Sequence, residues 1–320
     1  MVFLELATLL VGVAFLSKSA ELVVEHAERL ARFLGIGQLA VGFLLVSTLT
    51  TLPELSVSVI SSSAGEGAIA AGNAFGSIVC NILLILGLGG VLYGFKVNRA
   101  DARDAGLTLL VTTVLALYML FSSAVRGEAI GFGEGVLLLL VFVLYALVIL
   151  RREPAASSKE TVSREEAVRS FLFFAGGIFV VLFSASVVVG AAVALAASAG
   201  IAESFIGATI IALGTSLPEL SIVLSAFKAK RYGLGLGNVI GANMLNATLV
   251  LGAAAIISPL SVLALPVFTS VLLFAVLASV ALLYAVAVGG RVGRRGGAAF
   301  LALYVIYLVA TFALQFAPAA

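Results

Sequence analysis

Two glutamates, Glu54 and Glu219, stand in strongly apolar sequence, each directly after a proline. The first segment reads T-T-L-P-E-L-S from Thr50 to Ser56, and the second reads T-S-L-P-E-L-S from Thr215 to Ser221, 165 residues later. On a helix, Thr50 and Thr51 precede Glu54 at spacings of four and three, so two hydroxyls and a carboxylate share one face. Pro53 has no amide hydrogen and clashes with the carbonyl of Leu49. The helix must bend or break there, leaving carbonyl oxygens without intrahelical donors. Thr215, Ser216, Pro218 and Glu219 repeat the pattern. Carboxylate, hydroxyl and carbonyl oxygens form a hard environment that suits Na⁺ or Ca²⁺ rather than a soft metal. A carboxylate inside a membrane helix is costly and marks a functional site by default.

The register of the two copies continues without a gap. G-N-A-F-G-S-I-V-C-N runs from Gly72 to Asn81, and G-N-V-I-G-A-N-M-L-N from Gly237 to Asn246. Asn73, Ser77 and Asn81 form one polar stripe on an apolar helix; its counterpart is Asn238, Ala242 and Asn246. Gly72, Gly76, Gly237 and Gly241 are expected to allow close helix packing. A single Ser or Asn in such a helix usually bonds its own backbone or joins two helices. The duplication in fixed register with Pro-Glu is what points to a site. Glu21, Glu25, His26 and Glu28, with Arg29 and Arg32, read as a polar face at one end of the first helix, a role in gating being the less favoured reading. Cys80 reads as a small packing residue, and one cysteine excludes a disulfide framework.

These residues must be carried by membrane helices. The 320-residue chain is 62% hydrophobic and 11% charged, more apolar than a soluble domain of this length can hide. Its first segment lacks a basic leader and a small-residue cleavage site, so it is expected to be a membrane helix rather than a signal peptide. Ten spans are expected, at 2–30, 38–62, 67–94, 105–123, 130–150, 169–199, 203–227, 232–258, 262–288 and 297–317. Ser63 to Glu66 and Ile201 to Ala202 are tight hairpin gaps. Two five-helix halves, 1–150 and 169–320, flank a linker at 151–168 whose charged part runs from Arg151 to Glu166. The repeats occupy 42–88 and 207–253. Lys and Arg gather in alternate loops (Arg29, Arg32; Lys96, Arg99, Arg103; Arg151 to Arg169; Lys228, Lys230, Arg231; Arg291, Arg294, Arg295), with Arg126 alone opposite. The basic loops are therefore expected in the cytoplasm and both termini outside. Five spans separate corresponding points of the repeats, so the second copy crosses the membrane inverted, and its site lies near the midplane.

The duplicated G-x-S/T-x-x-P-E and G-N-x-x-G-S-x-x-x-N segments resemble the alpha repeats of the cation/calcium exchanger superfamily, most of all prokaryotic sodium/calcium exchangers. G-T-S-L-P-E-L from Gly214 is near the family pattern, whereas Leu49 stands where the first copy should have glycine. The resemblance implies an all-α membrane protein of ten helices in two inverted repeats, whose second, third, seventh and eighth helices form the ion sites. It implies that Glu54 and Glu219 are the main Ca²⁺ ligands, with Thr50, Thr215, Thr51 and Ser216 beside them. Asn73, Ser77, Asn81, Asn238 and Asn246 match its polar stripes. Two departures stand out: asparagine in both copies (Asn81, Asn246) where many members carry one aspartate, and Ala242 in place of serine. The only aspartates, Asp101 and Asp104, are expected in a cytoplasmic loop, away from the site. Two carboxylates balance one Ca²⁺ or two monovalent ions. Burial of a carboxylate favours its protonated form, which leaves H⁺ open as the coupling ion.

The expectation is antiport of Ca²⁺ against Na⁺ by alternating access in the plasma membrane, with H⁺ coupling as the alternative. A passive channel is disfavoured because the pseudo-symmetry is internal and inverted. An intramembrane enzyme is disfavoured because His26 is the only histidine. Partners are the transported ions and the bilayer; no cofactor, nucleic acid or obligatory protein partner is expected.

Overall fold

A computed structural model describes residues 2–65, 67–97, 99–126, 130–150, 162–198, 212–260 and 266–315. Nearly all of them are helical. The elements are α1 (Val2–Leu34), α2 (Gln38–Thr50), α3 (Leu52–Ser63), α4 (Gly67–Val79), α5 (Leu86–Leu92), β1 (Phe95–Lys96), α6 (Arg99–Arg126) and α7 (Phe132–Leu150). There follow α8 (Arg164–Ser198), α9 (Ala212–Thr215), α10 (Leu217–Lys228), α11 (Tyr232–Leu245), α12 (Leu251–Ile257), α13 (Pro266–Gly289), β2 (Arg291–Val292) and α14 (Arg294–Gln315). Among the described residues, six helical runs are long and apolar enough to cross a membrane. The bent pair α2–α3 makes up to seven, and α6 and α13 contribute shorter apolar cores, Ala105–Met119 and Ser270–Ala285. The molecule is thus a polytopic helical membrane protein. Leu137, Leu140, Leu144 and Val148 on α7 are exposed, as a lipid-facing stripe requires.

Most expected spans coincide with helices to within a few residues. Residues 203–211 of the seventh, the Ile201–Ala202 gap and linker residues 151–161 lie outside the described residues. The linker is shorter than expected, because α8 begins at Arg164. Ser163 starts it: its hydroxyl accepts from the Glu166 amide at 3.2 Å, and the Ser163 amide donates to the Glu166 carboxylate at 2.9 Å, a reciprocal capping box. Two of the basic loops meet in a ladder, with Phe95 opposite Val292 and Lys96 opposite Arg291. Gly94 (φ 62°) and Gly290 (φ 56°) take the left-handed turns that bring those strands in.

Two large clusters of packed helices hold most of the described core. Between α1 and α8, Leu16, Ala20, Val23, Ala27, Phe174, Ile178 and Val181 form one buried seam. A Cβ on Gly12 would lie 2.9 Å from Val188, and one on Gly177 would lie 2.8 Å from Val23, so both glycines permit the close crossing. Low numbers on α1 meet high numbers on α8, and His26 stacks on Phe173 at 4.9 Å; the two helices run antiparallel. The larger core surrounds α4, α5, α11 and α12, with Phe75, Ile78, Ile82, Val239, Ile240 and Leu251 fully buried.

The 165-residue offset of the sequence recurs in three dimensions. It carries the bounds of α3 onto those of α10, and the bounds of α5 onto those of α12. It carries Gly12 onto Gly177 and Val23 onto Val188, the very residues that meet in exchanged pairs. The offset also carries Phe95, the partner of Val292, onto Leu260, whose amide donates to the Ile130 carbonyl at 2.9 Å in an isolated bridge.

Candidate cation site

The site is built where two helices break. α2 and α3 meet at 45° across Thr51, whose φ of −80° and ψ of 0° interrupt the helix. Ser216 takes nearly the same conformation, φ −90° and ψ 5°, between α9 and α10. The break thus falls two residues before each proline rather than at it. Pro53 and Pro218 occupy the second position of a new helix, where a missing amide hydrogen costs nothing. Glu54 and Glu219 consequently lie in first turns, where the positive end of the helix dipole favours a carboxylate.

Both carboxylates are buried, each 1% exposed, and they face one another across the interior. The Ser216 hydroxyl donates to the Glu54 carboxylate at 3.4 Å, so a residue of one repeat touches the acid of the other. Ser77 also lies within reach of Glu54, and Thr50 within reach of Glu219. The Thr50 hydroxyl donates to the Ser47 carbonyl and contacts the Asn238 amide oxygen, both at 3.3 Å. On the far side, the Asn81 amide donates to the side-chain oxygen of Asn243 at 3.0 Å. Thr215, half-buried, closes α9.

The oxygen inventory is what sets this place apart. Thr51 Oγ1, Glu54 Oε2, Asn81 Oδ1, both carboxylate oxygens of Glu219 and Asn246 Oδ1 are buried without a hydrogen-bond partner among the described residues. Buried polar atoms are normally satisfied, and an unpaired carboxylate is the costliest kind to leave alone. No cationic side chain pairs with either glutamate among the described residues. Nor do those residues hold any cluster of three or more His, Cys, Asp and Glu side chains, so two carboxylates and neutral oxygens are the donor set. Such a set fits a hard cation.

Local backbone reinforces the asparagines. A π-helical stretch spans Cys80–Ile85 and another Asn246–Val250, so Asn81 and Asn246 stand at the start of equivalent wide turns. A third, Gly42–Ser47, lies in α2. There α2 crosses α11 closely: a Cβ on Gly237 would strike the Leu39 carbonyl, and one on Gly241 would strike Ser47 Oγ and Phe43. Gly72 and Gly76 behave otherwise. Among the described residues a Cβ on Gly72 meets nothing within 4 Å, and one on Gly76 only Tyr307 at 3.7 Å. The segment equivalent to 39–46 is 204–211, outside the described residues, so close packing is shown for one copy only.

Asn73 sits differently from the other stripe residues. Its amide donates to the Glu54 carbonyl at 3.0 Å and to the Ser58 hydroxyl at 2.9 Å, tying α3 to α4. Cys80 is buried and faces Ser216 and Tyr304, closer to the acids than a mere packing residue need be. Asn243 and Ser58 were not singled out from the sequence. Asn243 breaks the internal repeat, since Ile78 stands in the first copy, and a search for duplicated residues passes over it. Its spacing of three from Asn246 was the available signal.

The family model of the sodium/calcium exchanger protein matches residues 4–151 and 169–313, leaving out only the linker and the ends. Sodium/calcium exchanger MaX1 of Methanosarcina acetivorans is 28% identical over 351 residues, covering 98% of this chain and 99% of that protein. Ca(2+)/H(+) antiporter ChaA of Bacillus subtilis is 28% identical over 295 residues, covering 86% and 84% respectively. Among solved structures, the sodium-calcium exchanger NCX_Mj soaked with 10 mM Na⁺ and zero Ca²⁺ aligns with a TM-score of 0.84 at 29% identity, over 97% of this chain and 99% of that one. Broken helices, paired buried acids, and a match that runs through both halves have one common reading: this chain belongs to the sodium/calcium exchanger protein family.

Proposed function

We propose that the protein exchanges Ca²⁺ for Na⁺ at a single site formed by Glu54 and Glu219, open alternately to the two sides of the membrane. The observation that carries this reading is the pair of buried acids at two equivalent helix breaks, surrounded by oxygen atoms that lack partners. Thr50, Thr51, Thr215, Ser216, Ser77, Asn81 and Asn246 supply neutral oxygens, while Asn73 and Asn238 hold the helices that carry them. One Ca²⁺ or two Na⁺ neutralise the two carboxylates, and neither load leaves room for the other. Exchange follows from that competition. The named exchanger relatives support the cargo assignment.

The topology we infer is ten spans in two inverted five-helix repeats, with basic loops cytoplasmic and both termini outside. Supporting it are the antiparallel run of α1 against its repeat-equivalent α8 and the exchanged Gly12–Val188 and Gly177–Val23 pairs, as a twofold axis in the membrane plane requires. Lys96 and Arg291 face each other at one end of the bundle, and Lys228 and Arg231 reach Glu21 and Glu28 of α1 at 2.8 and 2.5 Å. This gathering of loops from both halves is consistent with one cytoplasmic face.

A second reading, Ca²⁺/H⁺ exchange, is favoured by asparagine at both Asn81 and Asn246, which leaves those positions without an acid, and by the ChaA relative. Ca²⁺ uptake into proteoliposomes under an imposed Na⁺ gradient, and separately under a pH gradient, decides between them. Sodium-driven uptake is expected. Uptake driven by pH alone would move the assignment to H⁺, and uptake indifferent to both would end the antiporter reading.

A further inference from the structure

At the end of the bundle where β1 meets β2, a cavity of about 620 Å³ is lined by Lys96, Arg291, Arg294 and Arg295, together with Tyr93 and Tyr232. Among the described residues no carboxylate lines it. Among the described residues none of the four cations forms an ion pair. Their placement is unfavourable three times over. Lys96 stands directly opposite Arg291 in the ladder, where like charges repel. Arg294 and Arg295 open α14, at the positive end of a 22-residue helix dipole. That first turn contains no acidic residue to offset them. A preference for basic residues in cytoplasmic loops explains the sign of these charges. It does not explain why loops from both halves bring them into one cavity.

An anion resolves all three conflicts together. Exposed amides at a helix start and forked guanidinium groups are the donors that phosphate oxygens accept from best. The surroundings of the cavity select the source of that phosphate. It opens at the ends of two apolar membrane helices, α5 and α14, beside Leu92 (55% exposed) and Tyr93 (44% exposed). Tyrosines at this level mark the headgroup layer, and exposed leucine beside them offers a surface for an acyl chain. We propose that this cavity binds the phosphate headgroup of an anionic membrane lipid, linking the α5–α6 loop of one half to the α13–α14 loop of the other. The site is separate from the cation site and stands whichever coupling ion is used.

The test is native mass spectrometry of the full-length protein, purified in neutral detergent and offered phosphatidylglycerol and phosphatidylcholine in equal amounts. Wild type, the single variants R291Q, R294Q and R295Q, and a control K230Q in a different basic loop are compared, with circular dichroism to verify folding. Wild type and K230Q are expected to retain phosphatidylglycerol selectively. Each neutralisation in the cavity is expected to weaken retention about fivefold, and millimolar inorganic phosphate to leave the lipid bound. Equal retention of the two lipids, or retention unchanged in all three cavity variants, would overturn the proposal. Displacement by millimolar phosphate would also overturn it, making the cavity a free-anion site.

Discussion

In the proposed exchange, ion binding turns on Glu54 and Glu219, because each presents a carboxylate oxygen that no protein group satisfies among the described residues. Without a cation their mutual repulsion and desolvation burden the fold; with one, that burden is lifted. Ca²⁺ at a hundredfold excess over its dissociation constant should therefore stabilise the wild-type protein by about 2.7 kcal/mol, read as a rise in melting temperature in detergent. E54Q and E219Q should show no such rise while melting no lower than wild type in ion-free buffer. A lower ion-free melting temperature would show instead that the carboxylates hold the fold together. Asn243 offers a contrast at the same scale. Its side-chain oxygen accepts from the Asn81 amide, so Asn243→Ala leaves that donor buried and alone. The expected cost is about 1–3 kcal/mol in denaturant or thermal unfolding. The acids and hydroxyls were legible from residue type and duplication. Asn243 was not, because its partner lies across the bundle and no local pattern records that contact.

At the scale of elements, the glycines separate packing from mere propensity. Gly176 and Gly177 are neighbours on α8, yet a Cβ on Gly177 would lie 2.8 Å from Val23 while one on Gly176 meets nothing within 4 Å. Gly177→Ala is expected to destabilise by about 1–3 kcal/mol through overpacking, and Gly12→Ala by a similar amount, since it meets Val188 in the equivalent way. Gly176→Ala should stay within about 1 kcal/mol of wild type. Equal melting of all three variants would remove the close α1–α8 crossing from the account. The ion pairs from α1 to Lys228 and Arg231 matter less, being partly exposed: Lys228→Ala should change stability by no more than about 1 kcal/mol. Helix bounds were largely readable from apolar runs, because a membrane span announces its own length. The break at Thr51 was readable only approximately. Pro53 demands a disruption, but the chain places it two residues earlier, so that the proline begins a helix instead of bending one. The β1–β2 pairing was invisible in sequence because its two strands come from opposite halves of the chain.

For the whole molecule, the duplicated segments become one site only if the halves face each other inverted. Cysteine substitutions test that arrangement directly, since Cys80, the sole native cysteine, is 5% exposed and should stay silent to reagents. Lys96→Cys and Lys230→Cys should label from the same side of the membrane with an impermeant maleimide, and Gly133→Cys from the other; any other partition would contradict the inverted arrangement. Sequence arithmetic yields the odd span count from which this topology is proposed, and the exchanged contacts of Gly12 and Gly177 agree with it. The central claim is that both transported ions use the same two carboxylates. Equilibrium binding of radioactive Ca²⁺ to the purified protein, titrated with Na⁺ and repeated on E54Q and E219Q, measures it most directly. The account predicts one Ca²⁺ per chain, displaced by Na⁺ and absent from both variants. Ca²⁺ binding that persists in high Na⁺, or survives in both variants, would contradict it.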